Sequence, residues 1–283
     1  MPQRSWSMAS NAHAVPVVRT LTPDEFVWIA RFLYERTGIS LNEGKQALVM
    51  GRLDKRLRKQ GLSSYREYFS LLGRPGYEDE TVMAIDLLTT NETYFFREHK
   101  HFEFLQKVIF PQHPRQRMRV WSAASSSGEE AYTIAMTLAA FFPGDNWEVL
   151  GSDISTRMLD KARRALYPML AAEKIPPSML KKYCLKGRDE YEDFFLVDPL
   201  VTAKVTFREL NLVGNLPDIG EFDIIFLRNV MIYFDIETKQ RLLQRIVEKL
   251  RPGGYFIISH SESLNGISNA LSLIQPSIYQ RPS

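Results

Sequence analysis

The sequence predicts an α/β fold in which an all-helical N-terminal domain precedes an open parallel sheet covered by helices on both faces. Three observations lead to this prediction. Helical periodicity without strand-like alternation fills the first third of the chain, and short apolar runs alternate with amphipathic stretches from Arg117 onwards. One irregular stretch, between Tyr167 and Asn211, interrupts that alternation.

The first third of the chain is expected to form helices after a flexible tail at residues 1–20, where small and polar residues show no apolar periodicity. The first helix should begin at Thr22, which can cap it, with Pro23 in the first turn and Glu25 reaching back to the cap. Gly38 should end it. Further helices are predicted over 43–60, 65–72, 77–88 and 93–110.

The sequence from Arg117 onwards predicts the alternating strands and helices of a doubly wound sheet. Strands are predicted over 118–123, 147–152, 222–227 and 255–259, and helices follow them, ending at Phe142 and covering 156–166 and 237–250. Segments 191–197 and 202–209 resemble a small inserted element, and we expect a little antiparallel sheet over 191–197.

Composition limits the classes of function. The 283 residues are 45% hydrophobic and 24% charged, which is typical of a folded globular protein. Cys184 is the single cysteine, so we expect a reducing compartment and no metal site. No apolar run approaches the roughly 18 to 20 residues needed to span a bilayer, and no secretory signal is evident, so the cytoplasm is predicted and membrane insertion is not. The net charge of +3 does not imply a nucleic-acid partner.

Polar side chains follow the predicted strands, at the edge where ligands bind in such sheets. After the first strand comes a loop of small residues ending in Glu129 and Glu130, whose carboxylates would repel a pyrophosphate and suit a cationic ligand such as S-adenosylmethionine. Asp153 can accept hydrogen bonds from ribose hydroxyls. Asn211 with Leu212 and Arg228 with Asn229 stand at two further strand ends. Four polar strand ends around one pocket suit a nucleoside ligand without phosphate.

Each signal also has an ordinary structural explanation. An aspartate at a strand end is more often a turn or cap residue, and glutamates near a helix start favour the macrodipole. Asn211 could equally be a turn former. Their recurrence after four strands is what favours the nucleoside ligand.

The sequence resembles the CheR-type chemotaxis receptor methyltransferases in order from about Leu21 to Tyr279. The strings that carry the resemblance are LTTNETYFFRE at 88–98, WSAASSSGEE at 121–130, SDI at 152–154, FDIIFLRNVMIYF at 222–234 and HSE at 260–262.

The resemblance implies a helical domain at 21–90, a linker helix at 91–115 and a Rossmann-like S-adenosylmethionine methyltransferase domain at 116–283, with a small inserted β-subdomain at about 170–203. It implies a protein-glutamate O-methyltransferase acting on the cytoplasmic signalling domain of chemoreceptors; we expect a monomer. Arg97 and Tyr233 would face the reacting carboxylate. The implied cofactor contacts are Asn91, Thr93, Arg97, Glu129, Asp153, Asn211, Leu212, Arg228 and Asn229.

Two departures from the family pattern stand out. Leu227 occupies a strand position where the family often has cysteine, which should not alter the chemistry. The stretch 186–193 carries one glycine and several acids where other members have a glycine-rich loop, so the sequence leaves open whether docking uses a receptor C-terminal pentapeptide.

Basic residues on the second predicted helix suggest a docking surface for an acidic partner. They are Arg52, Lys55, Arg56 and Lys59, and the family's recognition spacing falls on Arg52, Lys55 and Arg58. The alternative is a solvated helix face. A nucleic-acid methyltransferase and a non-catalytic regulator that binds S-adenosylmethionine or S-adenosylhomocysteine are the alternative functions.

Overall fold

The computed structural model describes residues 20–113, 117–142, 144 and 146–283. The expected tail lies outside these residues except for Thr20. None of the helices in the described ranges is both long and apolar enough to cross a membrane.

Four helices form the N-terminal part of the structure, as predicted. Thr22 and Glu25 make the expected capping box at the first helix, and Gly38 ends it with a φ of +72°. A 3₁₀ turn at Glu43–Lys45 occupies the start of the second predicted helix. The helices pack around a core of their own that includes Ile29, Leu53 and Tyr68. Their bounds are α1 Pro23–Thr37, α2 Gln46–Lys59, α3 Tyr65–Leu71 and α4 Glu78–Leu88.

The linker differs from the predicted continuous helix. Residues 95–99 form a turn in which Phe96 and Glu98 both have a φ of 55°, and a helix cannot contain such residues. Helix α5 therefore begins only at Lys100. It covers Lys100–Phe104, continues as a π-helical turn at Leu105–Ile109 and ends in α6 at Phe110–Gln112.

A seven-stranded sheet forms the second half of the molecule. Five strands are parallel, and Val120 of the central strand lies opposite Val149 on one side and Ile224 on the other. The strands are β1 Met118–Ser122, β2 Trp147–Asp153, β6 Val205–Glu209, β7 Phe222–Phe226, β8 Leu250–Ile257, β9 Ser272–Gln275 and β10 Ile278–Gln280. Their order is β6-β2-β1-β7-β8-β10-β9, with β10 antiparallel to both neighbours.

Helices cover both faces of this sheet, which confirms the predicted fold class. Alternate strand residues belong to two different cores. Val120 and Ile224 pack on the side of the linker and the helix at Glu129–Phe141, whereas Trp121 and Ile225 pack on the side of the helix at Ile236–Lys249. The covering helices are α7 Glu129–Phe141, α8 Thr156–Arg164 and α12 Ile236–Lys249.

The irregular stretch contains the expected small antiparallel sheet, with a different extent. Its strand order is β3-β5-β4, and it begins at Leu166, before the predicted start near residue 170. The prediction that 202–209 belongs to the insertion is wrong, because β6 pairs in parallel with β2 and forms an edge of the main sheet. The elements are β3 Leu166–Pro168, α9 Met169–Ala172, α10 Pro177–Tyr183, β4 Cys184–Lys186, β5 Phe194–Val197 and α11 Pro199–Thr202.

Candidate active site

A cavity lies where the carboxyl ends of β1, β2 and β7 meet the segment that joins α4 to the linker. Most of the residues predicted for the site line it. These are Asn91, Thr93, Arg97, Asp153, Arg228, Asn229 and Tyr233, and Glu130 lines the cavity as well.

The loop after β1 brings backbone close to the cavity. Gly128 caps α7 with a φ of +98°, and a Cβ there would lie 2.8 Å from the Cβ of Ala162 and 2.9 Å from the Tyr167 hydroxyl. Only glycine avoids both the strained backbone and this overlap. Ser126, with a φ of 47°, points its backbone N–H at Asp153.

Asp153 is held rigidly at the end of β2. One carboxylate oxygen accepts the N–H of Ser126 at 2.8 Å, and the other accepts the N–H of Ser155 at 2.9 Å. Burial raises the pKa of Asp153, and these hydrogen bonds oppose that shift. Each oxygen keeps a second lone pair that can accept a ligand hydroxyl.

Arg228 and Glu130 form a charged wall of the cavity, and Glu98 contacts Arg228 from behind the lining. Its guanidinium lies 3.1 Å from Glu130 and 3.3 Å from Glu98, and it donates to the carbonyl of Arg97 at 2.6 Å. Burial raises the pKa of Glu130. Burial also acts to raise the pKa of Glu98, but the charge of Arg228 and its other partners outweigh burial and lower it. The charge of Arg97 also acts on Glu130, so the cluster holds two acidic and two basic groups.

Arg97 and Tyr233 both line the cavity. Arg97 donates to the carbonyl of Glu92 at 2.9 Å, and its guanidinium lies 5.5 Å from the centre of the Tyr94 ring. Tyr233 ends a 3₁₀ turn at Met231–Tyr233, and its carbonyl accepts the N–H of Ser40 at 2.9 Å. That bond ties the helical part to the cavity.

Three residues predicted as cofactor contacts lie outside the cavity lining. The carboxylate of Glu129 accepts a hydrogen bond from Ser127 at 2.8 Å, and burial raises its pKa. The amide of Asn211 donates to the carbonyl of Arg36 at 2.6 Å, and Leu212 is buried in the core beside α12. Their contact with a cofactor stays a prediction.

The sequence reasoning also missed cavity residues. Tyr94, Phe96 and Ser126 line the cavity but were not predicted as contacts. Tyr94 and Phe96 stand inside the 88–98 string, so their position beside Thr93 and Arg97 was an available signal. The unusual backbone of Phe96 and Ser126, which turns them toward the site, has no sequence signal because neither residue is a glycine.

The predicted basic surface on α2 is divided in the structure. Arg52 donates to the carbonyls of Leu88 and Thr89 at 2.8 and 2.9 Å, and Arg56 forms an ion pair with the buried Glu80. Both arginines are half-buried and turn toward α4, and the docking role expected for them stays a prediction. Arg58 pairs with Asp54 but is largely exposed, and Lys55 and Lys59 are exposed.

A histidine pair lies behind the charged wall. The Nε2 atom of His101 and the Nδ1 atom of His260 lie 2.7 and 3.0 Å from the hydroxyl of Ser277. Burial lowers the pKa of His101 to about 3, so it is neutral at physiological pH. Together with Glu98 these histidines place possible metal-ligand atoms within 4.8 Å of one another. The guanidinium of Arg228 already occupies the Glu98 carboxylate, which disfavours a cation there.

Comparison with known proteins agrees with this geometry. Residues 24–89 match the family model described as CheR methyltransferase, all-alpha domain, and residues 91–279 match CheR methyltransferase, SAM binding domain. The chain is 41% identical to chemotaxis protein methyltransferase 2 of Pseudomonas aeruginosa, with 91% of this chain and 93% of that protein covered.

Two further relatives cover nearly the whole chain. The chemotaxis protein methyltransferase of Escherichia coli is 39% identical, with 92% of this chain and 91% of that protein covered. The chemotaxis protein methyltransferase of Borreliella burgdorferi is 35% identical, with 97% and 100% covered. The two domain models together span the helical part and the sheet with its cavity. This chain therefore belongs to the CheR methyltransferase family, and it contains that family's SAM-binding domain.

Proposed function

We propose that this protein transfers the methyl group of S-adenosylmethionine to glutamate side chains of chemoreceptors and forms glutamate methyl esters. The observation that carries the proposal is a single cavity that joins the buried Asp153 to Arg97 and Tyr233. The names of the relatives, which are chemotaxis methyltransferases, support the same function.

The residues present fit the methyl donor at both of its ends. Asp153 offers two acceptor lone pairs to ribose hydroxyls, because its oxygens are already fixed by backbone N–H groups. At the other end, the side chain of Glu130 lines the cavity and offers an acceptor to a cationic amino group or sulfonium. When bound, the donor supplies an activated methyl group on a positively charged sulfur.

The acceptor needs no general base. A glutamate side chain is ionised at neutral pH, so its oxygen is already a nucleophile. The task of the protein is to align that oxygen and to remove water from it. We assign the guanidinium of Arg97 to one carboxylate oxygen and the hydroxyl of Tyr233 to the neighbourhood of the other.

The exposed cations of α2 supply the docking surface in this proposal. Lys55, Arg58 and Lys59 remain at the surface after Arg52 and Arg56 have been assigned to internal contacts. Acidic helices of a receptor's cytoplasmic domain would be attracted to them, and the attraction should weaken with salt. In this proposal the protein acts in the cytoplasm, where such receptor domains lie.

Incubation with methyl-labelled S-adenosylmethionine and receptor cytoplasmic fragments tests the proposal. We expect label that is released by mild base, because a carboxyl methyl ester is base-labile and methylated nitrogen is not. Arg97→Ala and Tyr233→Phe should each reduce the label sharply while the melting temperature shows a folded protein.

Other outcomes separate the alternatives. Base-stable label on nucleic acid would replace the proposal with a nucleic-acid methyltransferase. Tight donor binding without transfer to any receptor fragment would indicate a regulator. Wild-type transfer by both variants would remove the assignment of Arg97 and Tyr233.

A further inference from the structure

Arg52 of α2 reaches the wall of the cofactor cavity. One guanidinium nitrogen donates to the carbonyls of Leu88 and Thr89 at 2.8 and 2.9 Å, and the other donates to the hydroxyl of Thr90 at 3.2 Å. Thr89 and Thr90 line the cavity. We propose that Arg52 is a positioning residue that holds this wall in place for the methyl donor, which extends its role beyond contact with a partner.

A continuous series of hydrogen bonds leads from this wall to the ribose end of the site. The amide of Asn91 donates to the hydroxyl of Thr89 at 3.1 Å, and the carbonyl of Asn91 accepts the hydroxyl of Ser126 at 2.9 Å. The N–H of Ser126 then binds Asp153 at 2.8 Å. The position of Arg52 thus determines the position of Asn91, and Asn91 in turn restrains the loop that orients Asp153.

The same segment is held from its other side by the sheet domain. Asp86, in the last turn of α4, is 2% exposed and lies 3.7 Å from the guanidinium of Arg157 on α8. The N-cap of α8 is Ser155, whose N–H binds the second oxygen of Asp153. Residues 86–91 therefore lie between Arg52 of the helical part and Arg157 of the sheet part. On each side a neighbouring serine, Ser126 or Ser155, hydrogen-bonds Asp153.

Lysine cannot replace Arg52 in this position. The guanidinium forms a planar fork that binds two carbonyls and a hydroxyl at once, whereas an ammonium concentrates its charge at one point. Arg52→Lys therefore keeps the charge of α2 but loses the restraint on the wall. Arg56 provides a matched control, because it stands one turn further along α2 and binds Glu80 instead of the cavity wall.

Calorimetric titration with S-adenosylhomocysteine, without receptor, tests this inference, which rests on the cofactor site of the proposed function. We expect Arg52→Lys to weaken binding about tenfold, the effect of losing one charged hydrogen bond of about 1.4 kcal/mol. Arg56→Lys should lower the melting temperature and leave the affinity within about twofold of wild type.

Steady-state methylation separates positioning from docking. Arg52→Lys should raise KM for the methyl donor, leave KM for the receptor fragment unchanged, and recover kcat at saturating donor. A merely structural defect would lower the fraction of active enzyme without raising KM for the methyl donor alone. If Arg52→Lys bound S-adenosylhomocysteine like wild type and raised only KM for the receptor, Arg52 would be a docking residue and the inference would fail.

A second variant covers the case in which Arg52→Lys does not fold. Thr89→Val keeps the side-chain shape and removes the hydroxyl that accepts from Asn91 and donates to the carbonyl of Asp86, so it should weaken S-adenosylhomocysteine binding severalfold. Unchanged affinity of Thr89→Val would overturn the hydrogen-bonded series. If the wild-type protein itself failed to bind S-adenosylhomocysteine or S-adenosylmethionine, the proposed function would fall first and this inference with it.

Discussion

The guanidinium of Arg228 lies 3.1 Å from the carboxylate of Glu130, and only 1% of the Arg228 side chain is exposed. Glu98, which belongs to the linker, lies 3.3 Å from the same guanidinium. A buried charge costs free energy unless it is paired, so each member of this cluster depends on the others. Through Arg228, these two contacts also join the linker to the start of α7.

Removal of the guanidinium should destabilise the protein strongly. Arg228→Met leaves the largely buried Glu98 and Glu130 without their cation, and we expect the free energy of unfolding to fall by about 3–5 kcal/mol. Urea denaturation measures this. Adding Glu130→Gln to the same variant should restore part of the loss, and a loss below about 1 kcal/mol in Arg228→Met would contradict the buried pairing.

Asp153→Asn should weaken binding of S-adenosylhomocysteine by about tenfold or more, because it removes a charged acceptor and places an NH₂ group against a backbone N–H. Isothermal titration calorimetry measures the affinity. Asp160→Asn, at an exposed aspartate paired with Arg163, is the control and should bind normally. Equal affinity in both variants would show that Asp153 does not contact the ligand.

Two glycines with positive φ distinguish backbone strain from steric overlap. Gly61, with a φ of +68°, has no atom within 4 Å of an added Cβ, so Gly61→Ala should cost about 1 kcal/mol of stability. Gly128→Ala adds overlap with Ala162 and Tyr167 and should cost about 2–4 kcal/mol. Differential scanning calorimetry of both variants measures the difference, and equal costs would mean that the loop can relax around the added methyl group.

Glu80 should make the helical part sensitive to acid. Burial acts to raise the pKa of Glu80, but hydrogen bonds from Arg56, Tyr68 and Gln60 outweigh burial and lower it. Its contribution is therefore present above the unfolded-state pKa of about 4.3 and is lost as the pH falls through the lower folded-state pKa.

Replacing this carboxylate tests that prediction. Glu80→Gln should lower the free energy of unfolding at neutral pH by about 1–3 kcal/mol, and the difference from wild type should shrink as the solution is acidified below about pH 4. Urea denaturation across this range measures both effects. A difference that stays constant with pH would show that the charge of Glu80 does not matter.

The sequence predicted those features that depend on local pattern. The capping box at Thr22, the strand around Val120 and the acidic residue at the end of β2 all follow from periodicity or from residue type beside a boundary. Asp153 could be predicted because the end of a parallel strand is also the ligand edge of the sheet.

Contacts between residues that are far apart in the sequence were not predicted. Arg52 and Lys55 look alike in sequence, but the carbonyls that bind Arg52 belong to another helix, 36 residues further along the chain. The same limit explains the late start of α5, because the positive φ of Phe96 and Glu98 depends on contacts with Thr133 and Arg228 rather than on the residues themselves.

Strand β10 is an inner strand of the sheet although it follows β9 in the chain, and the neighbouring Ser277 binds the buried His101. Every cavity-lining residue precedes β8 in the chain, so the edge of β8 that β10 covers is completed by a segment that follows the whole site. Without residues 278–280 that edge of β8 would present unpaired backbone groups, so the sheet depends on this short strand to cover it.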